Sequence, residues 1–303
     1  MINRLIANII PLLPEQFVWI FSKKYIAGNT FDDAAKIASE FNKVGIYTTI
    51  DILGELLNNK EQALEYQQAY FEAISSSSKI GLQTTFSLKP SMFGLLQDFD
   101  FCYSTIHSII QKAAEYNFFV RIDMEDSGCT DRELELFTKL YKEFPGNVGI
   151  VIQSYLKRSI EDVSNLIKIS QSDFPVNVRL CKGIYIESAR IAYRKRKEIN
   201  TSFINILEMI LKNKLFAAIA THDKILVSDA IRLLEKYNFP KGSYEFQMLY
   251  GVAHKLRDQL VGSGRPMRIY VPYGEKWFNY STRRLQENPR MVREIIKALL
   301  INN

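Results

Sequence analysis

Eight short β-rich runs recur along the chain with helix-period segments between them, and this alternation restricts the fold more than any single motif. The runs are Val44–Leu53, Thr84–Pro90, Phe118–Asp126, Val148–Tyr155, Asn177–Gly183, Ala217–Asp223, Tyr244–Gly251 and Met267–Gly274. Between them the apolar residues take helical spacing, as in Ile160, Val163, Leu166 and Ile167, or Leu207, Ile210 and Leu211. Eight strand–helix units in roughly 230 residues predict a (βα)8 barrel over residues 44–303. A doubly wound sheet is the alternative, but the first turn lacks the G-x-G-x-x-G spacing of a dinucleotide site. Residues 1–43 precede the first strand, have helical character, and are expected to pack on the barrel as a cap on its closed end. No Pro/Gly-rich linker or internal repeat divides the chain, and the short Ser75–Ser78 run reads as a loop.

A chain of 303 residues has ample core for one large α/β domain or two small ones. The excess of six positive charges is spread along it, densest from Arg190 to Lys197. That cluster reads as a solvated helix face before an anionic membrane or a bound phosphate. Nucleic acid is not expected, because no DNA-binding motif accompanies it. Cys102, Cys129 and Cys181 are odd in number, far apart and without a CxxC pair, which points to a reducing compartment and away from zinc or disulfides. With only three histidines, a multi-histidine metal site is not expected. Pro11, Pro14 and Glu15 interrupt the apolar N-terminus well short of the roughly 18 residues needed to span a bilayer. Lys23-Lys24 arrives where a cleavage site would be needed, so a cytoplasmic location is expected, with peripheral contact to the inner membrane face as an addition.

Polar residues fall at the ends of these runs. Lys89, Asp123, Gln153, Arg179, His222 and Tyr270 each lie in or at the end of a different predicted strand. In a barrel of this kind the strand ends line the active site, so these residues describe a pocket for a charged ligand. Near the C-terminus, Tyr280, Arg283, Arg284 and Glu287 stand three and four apart, on one face of a helix. Two adjacent guanidinium groups, one braced by Glu287, make a clamp for a small carboxylate.

The strings Phe86-Ser-Leu-Lys89-Pro90, Arg121-Ile-Asp123-Met-Glu125, Val151-Ile-Gln153-Ser-Tyr155 and Arg179-Leu-Cys-Lys182-Gly183-Ile-Tyr185 follow one another in that order. Ala220-Thr221-His222-Asp223, Glu245-Phe-Gln-Met-Leu249-Tyr-Gly251 and Tyr280-x-x-Arg283-Arg284-Leu285-x-Glu287-Asn288 complete the series. Together, from about Asp51 onward, they resemble the proline dehydrogenase family in its short monofunctional bacterial form. The resemblance implies a distorted TIM-type barrel whose last helix lies over the mouth, and a non-covalent FAD. It implies that Arg283 and Arg284 grip the proline carboxylate together with Lys89, with Asp123 orienting Lys89. Arg179 would stand at the flavin N5–O4 edge, so Asp123 and Arg179 are the expected catalytic pair. Gln153, Met124, Thr221 and His222 would contact the cofactor, with Lys182 and Gly183 at its pyrophosphate. Leu249, Tyr270, Tyr280 and Tyr185 would form the apolar sides. Ile184, Ile186 and Asp223 depart from the commonest family pattern, at the cofactor's periphery.

The implied reaction removes hydride from the ring carbon next to nitrogen, delivers it to flavin N5, and yields Δ1-pyrroline-5-carboxylate. The amine must be neutral, so activity should rise with pH. No residue is an obvious obligatory base. Electrons would pass to a membrane quinone, and a separate pyrroline-5-carboxylate dehydrogenase would act downstream. The alternatives are a hydroxyproline dehydrogenase and a non-redox ligand-binding barrel.

Overall fold

A computed structural model describes residues 15–54, 57, 59–278 and 280–282. Arg283, Arg284 and Glu287, like residues 1–14, lie outside the described residues. All eight expected strands are present: β1 Tyr47–Ile52, β2 Thr84–Leu88, β3 Val120–Ile122, β4 Val148–Gln153, β5 Asn177–Cys181, β6 Phe216–Ala220, β7 Tyr244–Leu249 and β8 Met267–Tyr273. Each pairs in parallel with the next, and β8 closes on β1 from Tyr47↔Arg268 to Ile52↔Tyr273. Two helices come first, α1 Glu15–Ser22 and α2 Phe31–Lys43. The crossovers are α3 Lys60–Lys79, α4 Phe99–Glu115, α5 Thr130–Glu143, α6 Ser159–Ile169, α7 Arg196–Lys212, α8 Lys224–Lys236 and α9 His254–Gly262.

Alternate side chains along a strand point to opposite faces. One set, including Ile50, Phe86, Leu88, Val120, Ile122 and Phe246, joins the apolar core beneath the helices. Each such burial stabilises by about 1.5–3 kcal/mol. The other set carries hydrogen-bonding groups where barrels of this type usually hold branched apolar side chains. Thr49 and Thr85 hydroxyls meet at 2.6 Å. Arg268 Nε donates to Glu245 Oε1 at 2.7 Å, and Gln247 Nε2 donates to the same oxygen at 2.6 Å. Buried charges survive when they are paired and hydrogen-bonded, and these are.

Three local expectations are corrected. Ser75–Ser78 belongs to α3, because Tyr70, Ala73, Ile74 and Ser77 continue its buried face and packing outweighs the modest helix propensity of serine. Arg190–Arg194 is a turn rather than a helix face. Lys157 N donates to Ile191 O and Tyr193 N to Tyr155 O, which ties the stretch to the segment after β4; only Arg196 and Lys197 enter α7. The N-terminal residues described do not cap the closed end. Helix α2 lies beside β8 and β1, where an eighth outer helix would otherwise pack. Helix α1 and the segment after it border the mouth, with Trp19 and Trp277 packed against Tyr25, Ile26 and Leu53. Ala27 N donates to Pro272 O, and Gly274 N to Gly28 O, fixing that segment to the end of β8.

Candidate active site

The observed strands stop short of the expected runs at their C-terminal ends, and the residues that leave the ladder enclose a cavity of 440 Å³. Lys89, Asp123, Arg179, Tyr270 and Tyr280 line one part of it. Gln153, Lys182, Tyr185, Thr221 and His222 line the other, with Met124 and Leu249 among its apolar surfaces. The structure therefore brings together every candidate side chain within the described residues, Gly183 included. Tyr280, in the helical residues 280–282 that follow β8, also reaches the cavity.

Lys89 follows β2 directly, and its hydrogen bonds go to a residue that the sequence reading did not single out. Its Nζ donates to both carboxylate oxygens of Asp51, at 2.8 and 2.9 Å. Asp123 stands 4.0 Å away. Asp51 lies in β1 and is fully buried, whereas Asp123 follows β3 and opens to the cavity. Lys89 is thus hydrogen-bonded to Asp51, which the pairing of β1 with β2 carries beside it, with Asp123 at ion-pair distance. Burial works against the Lys89 charge, yet the carboxylates of Asp51 and Asp123 outweigh it and hold the ammonium above the usual lysine range.

Asp123 serves two other groups. Its Oδ1 accepts from Arg179 Nη1 at 2.8 Å, and its Oδ2 accepts from the Tyr270 hydroxyl at 2.9 Å. Arg179 is anchored at three points, since Nη1 also donates to Ser87 Oγ at 3.0 Å and Nε donates to Gln247 Oε1 at 2.6 Å. A guanidinium held by its planar fork has little freedom left. Burial pushes the Tyr270 hydroxyl well up, reinforced by the negative charge of Asp123, so it stays a donor.

On the other side, Gln153 Nε2 donates to Glu125 O at 2.7 Å. His222 Nε2 accepts the Leu249 N–H at 2.9 Å, which assigns the proton of a neutral ring to Nδ1. Thr221 Oγ1 accepts from Asp223 N at 3.1 Å. Lys182 is ion-paired to Asp223 at 2.6 Å, and Arg196 reaches the same carboxylate at 2.9 Å. Burial opposes the Asp223 charge, but these two cations hold its carboxyl far below the usual range. Gly183 has φ +95°, and a Cβ there would lie 2.1 Å from the Tyr155 ring, so the fold itself demands glycine.

Behind Asp123, the Glu125 carboxylate accepts from Ser91 N at 2.9 Å and Ser91 Oγ at 2.6 Å, while Glu125 N donates to Glu133 Oε1 at 2.8 Å. Glu125, Cys129 and Glu133 place three ligand-type atoms within 4.8 Å of one another. Burial raises all three groups, Cys129 to about 12, which opposes metal ligation because a ligand must first shed its proton. The cluster ties the end of β3 to the residues after Lys89.

Sequence reasoning missed Asp51, Ser87, Glu245, Gln247 and Arg268 as members of this network. A signal existed for some: charged residues in continuous parallel-strand runs are rarely buried unless paired. Which partner each would meet depends on barrel register.

The proline dehydrogenase family pattern matches residues 34–295. A proline dehydrogenase of Deinococcus radiodurans is 32% identical over 292 residues, which cover 95% of this chain and 93% of that protein. Proline dehydrogenase 1 of Bacillus subtilis is also 32% identical, covering 92% of this chain and 90% of its own. Among solved structures, proline utilization A from Bdellovibrio bacteriovorus, inactivated by N-propargylglycine, is similar at a TM-score of 0.82 and 28% identity. That match covers 88% of this chain and 32% of the longer one. The chain therefore belongs to the proline dehydrogenase family.

Proposed function

We propose that this protein oxidises L-proline to Δ1-pyrroline-5-carboxylate with non-covalently bound FAD. The observation that carries the reading is that one cavity gathers both groups of residues. One part holds a charged lysine beside a fixed Asp–Arg–Tyr cluster, and the other carries amide, hydroxyl and ammonium groups among apolar side chains. This donor set fits a flavin. Gln153 and Arg179 would face its polar edge, Met124, Tyr185 and Leu249 its rings, Thr221 and His222 its side, and Lys182 its phosphates. Lys182 would there exchange or share its partner Asp223. The bound flavin supplies the two-electron acceptor for hydride lost from the ring carbon next to nitrogen.

The residues then divide the work. Lys89, with Arg283 and Arg284, holds the carboxylate and so fixes the ring; such placement can lower a barrier by about 7–11 kcal/mol in favourable cases. Arg179 places fixed positive charge where negative charge develops. Tyr270, Tyr280 and Leu249 exclude water around the pyrrolidine. The amine proton leaves to water, since His222 Nε2 already accepts from Leu249 N. The rate should climb as the amine becomes neutral, while the Asp51 and Asp123 carboxylates hold the Lys89 ammonium above the usual lysine range.

The electron acceptor is a membrane quinone, met by peripheral contact with the inner membrane face from the cytoplasm. The surface supports this reading: Ile184, which lines the cavity, and Ile186 are exposed, Ile186 at 95%, and the exposed Arg190, Arg194, Lys195 and Lys197 follow them in the chain. Among the described residues no helix is long and apolar enough to cross a membrane. A separate dehydrogenase would consume the pyrroline product.

Purified protein should be yellow, bleach on anaerobic addition of proline, and release its flavin on denaturation. Colourless protein that stays colourless with added FAD would refute the proposal. Replacing Arg283 or Arg284 with Met should raise the KM for proline tenfold or more, from about 1.5–3 kcal/mol of lost charged hydrogen bonding, and leave flavin content intact.

A further inference from the structure

We propose that Asp51 is the positioning residue of Lys89, holding its ammonium charged and aimed at the substrate carboxylate. The inference rests on the reading that Lys89 takes that carboxylate. Both Asp51 oxygens contact Lys89 Nζ, and Asp51 has no exposed surface while the Lys89 side chain keeps 18% of its own. The pair is therefore one-sided. Asp51 binds the ammonium from the barrel floor and leaves its remaining donor capacity facing the cavity. An ammonium without that partner would lose its proton to burial as the pH rises.

The other groups around the pair cannot replace Asp51. Lys89 also senses Asp123, Glu125 and Tyr280. Asp123 is committed to Arg179 and Tyr270, and Glu125 to Ser91. Around Asp51 itself stand Tyr70, Tyr270 and Tyr273, whose hydroxyls are raised by burial. Tyr70 donates to Ser87 O at 2.6 Å. Burial lifts the Asp51 carboxyl too, and Lys89 opposes that rise, so each partner supports the charge of the other.

The test uses the flavin-loaded protein and tetrahydrofuran-2-carboxylate, a five-membered ring that keeps the carboxylate and lacks the amine. Asp51→Asn should weaken its binding about tenfold or more near neutrality. It should also bring forward, by a pH unit or more, the alkaline loss of affinity. In a Lys89→Met background the same change should add little, because coupled residues are not additive. Equal effects in both backgrounds, or binding and pH profile unchanged by Asp51→Asn, would overturn the proposal.

Acetylation of Lys89 by acetic anhydride, followed against pH by mass spectrometry, needs no substrate. Asp51→Asn should make Lys89 react at lower pH, and an unchanged profile refutes the pairing even if the protein proves not to oxidise proline. If Asp51→Asn alone does not fold, the double variant supplies the answer. Lys89→Met/Asp51→Asn should melt no lower than Lys89→Met, and a lower melting temperature counts against the proposal.

Discussion

Tyr270 connects specificity to charge. Its hydroxyl donates to Asp123, and its ring lies 5.3 Å from the Arg179 guanidinium at the cavity wall. In the proposed pose this bulky ring crowds the far edge of the substrate. An added 4-hydroxyl then costs about 1–3 kcal/mol through overpacking. Proline should accordingly exceed trans-4-hydroxyproline by tenfold or more in kcat/KM; equal values would favour a hydroxyproline dehydrogenase. Because the hydroxyl also holds Asp123, two substitutions are needed to separate shape from hydrogen bonding. Tyr270→Phe keeps the ring and should preserve the preference while lowering turnover. Tyr270→Ser should narrow the preference, mainly by weakening proline. If Tyr270→Ser leaves the ratio intact, selectivity lies with Leu249 or Tyr280. At this scale the sequence was informative about which polar residues sit at strand ends. It named only Asp123 for Lys89, through the family resemblance, because the hydrogen bonds to Asp51 depend on the pairing of β1 with β2.

Among the elements, Asp223 ties three together. Its Oδ1 caps α8 through Ile225 N at 3.1 Å, and its Oδ2 receives Lys182 after β5 and Arg196 in α7. Asparagine caps a helix about as well as aspartate, so Asp223→Asn removes the ion pairs and retains the cap. Asp223→Ala removes both and should lose a further ~1 kcal/mol. The pH dependence follows from the depressed carboxyl. Its stabilisation is present above the ordinary aspartate value of 3.8 and is lost as pH falls through the lower folded value. Acid unfolding of Asp223→Asn should therefore be shallower below pH 4 than that of the unmodified protein, measured by circular dichroism. Parallel acid transitions would mean that the ion pairs contribute nothing. The basic cluster near Arg196 illustrates the limit of local reading. Its charge was evident in Arg190–Lys197, but the bridge between Leu156 and Ala192, which breaks the helix there, is a long-range contact.

For the molecule as a whole, closure of the barrel and closure of the mouth depend on the same chain segment. Gly251, just after β7, has φ +74°, and a Cβ there would lie 1.5 Å from Lys24 O. Backbone cannot yield as a flexible side chain does. Gly251→Ala should cost about 1–3 kcal/mol from its conformation alone, with the clash added. It should lower the melting temperature and release residues 24–28 from the end of β8. Hydrogen exchange at Ala27, whose N–H donates to Pro272 O, reports that release. Wild-type exchange and melting in this variant would show that the segment is not held by this contact. The eight-fold alternation made the barrel legible, but the place of the N-terminus was not, because an amphipathic helix can cover any apolar gap. Helix α2 covers β8 and β1 where they close the barrel.

Sequence alone determined the architecture and the polar residues at the strand ends. Alternating strand and helix periods leave few parallel closures, and residues such as Lys89, Asp123, Gln153 and Arg179 are visible as polar groups at the ends of apolar runs. Only the tertiary structure decided their pairing. Lys89 met Asp51 across β1 and β2, Arg179 met Asp123, Ser87 and Gln247 from three strands, and Gly183 was explained by the ring of Tyr155. The physical reason is one of range. Periodicity and turn chemistry act over a few residues, whereas a buried ion pair joins groups brought together by the register and closure of the entire barrel.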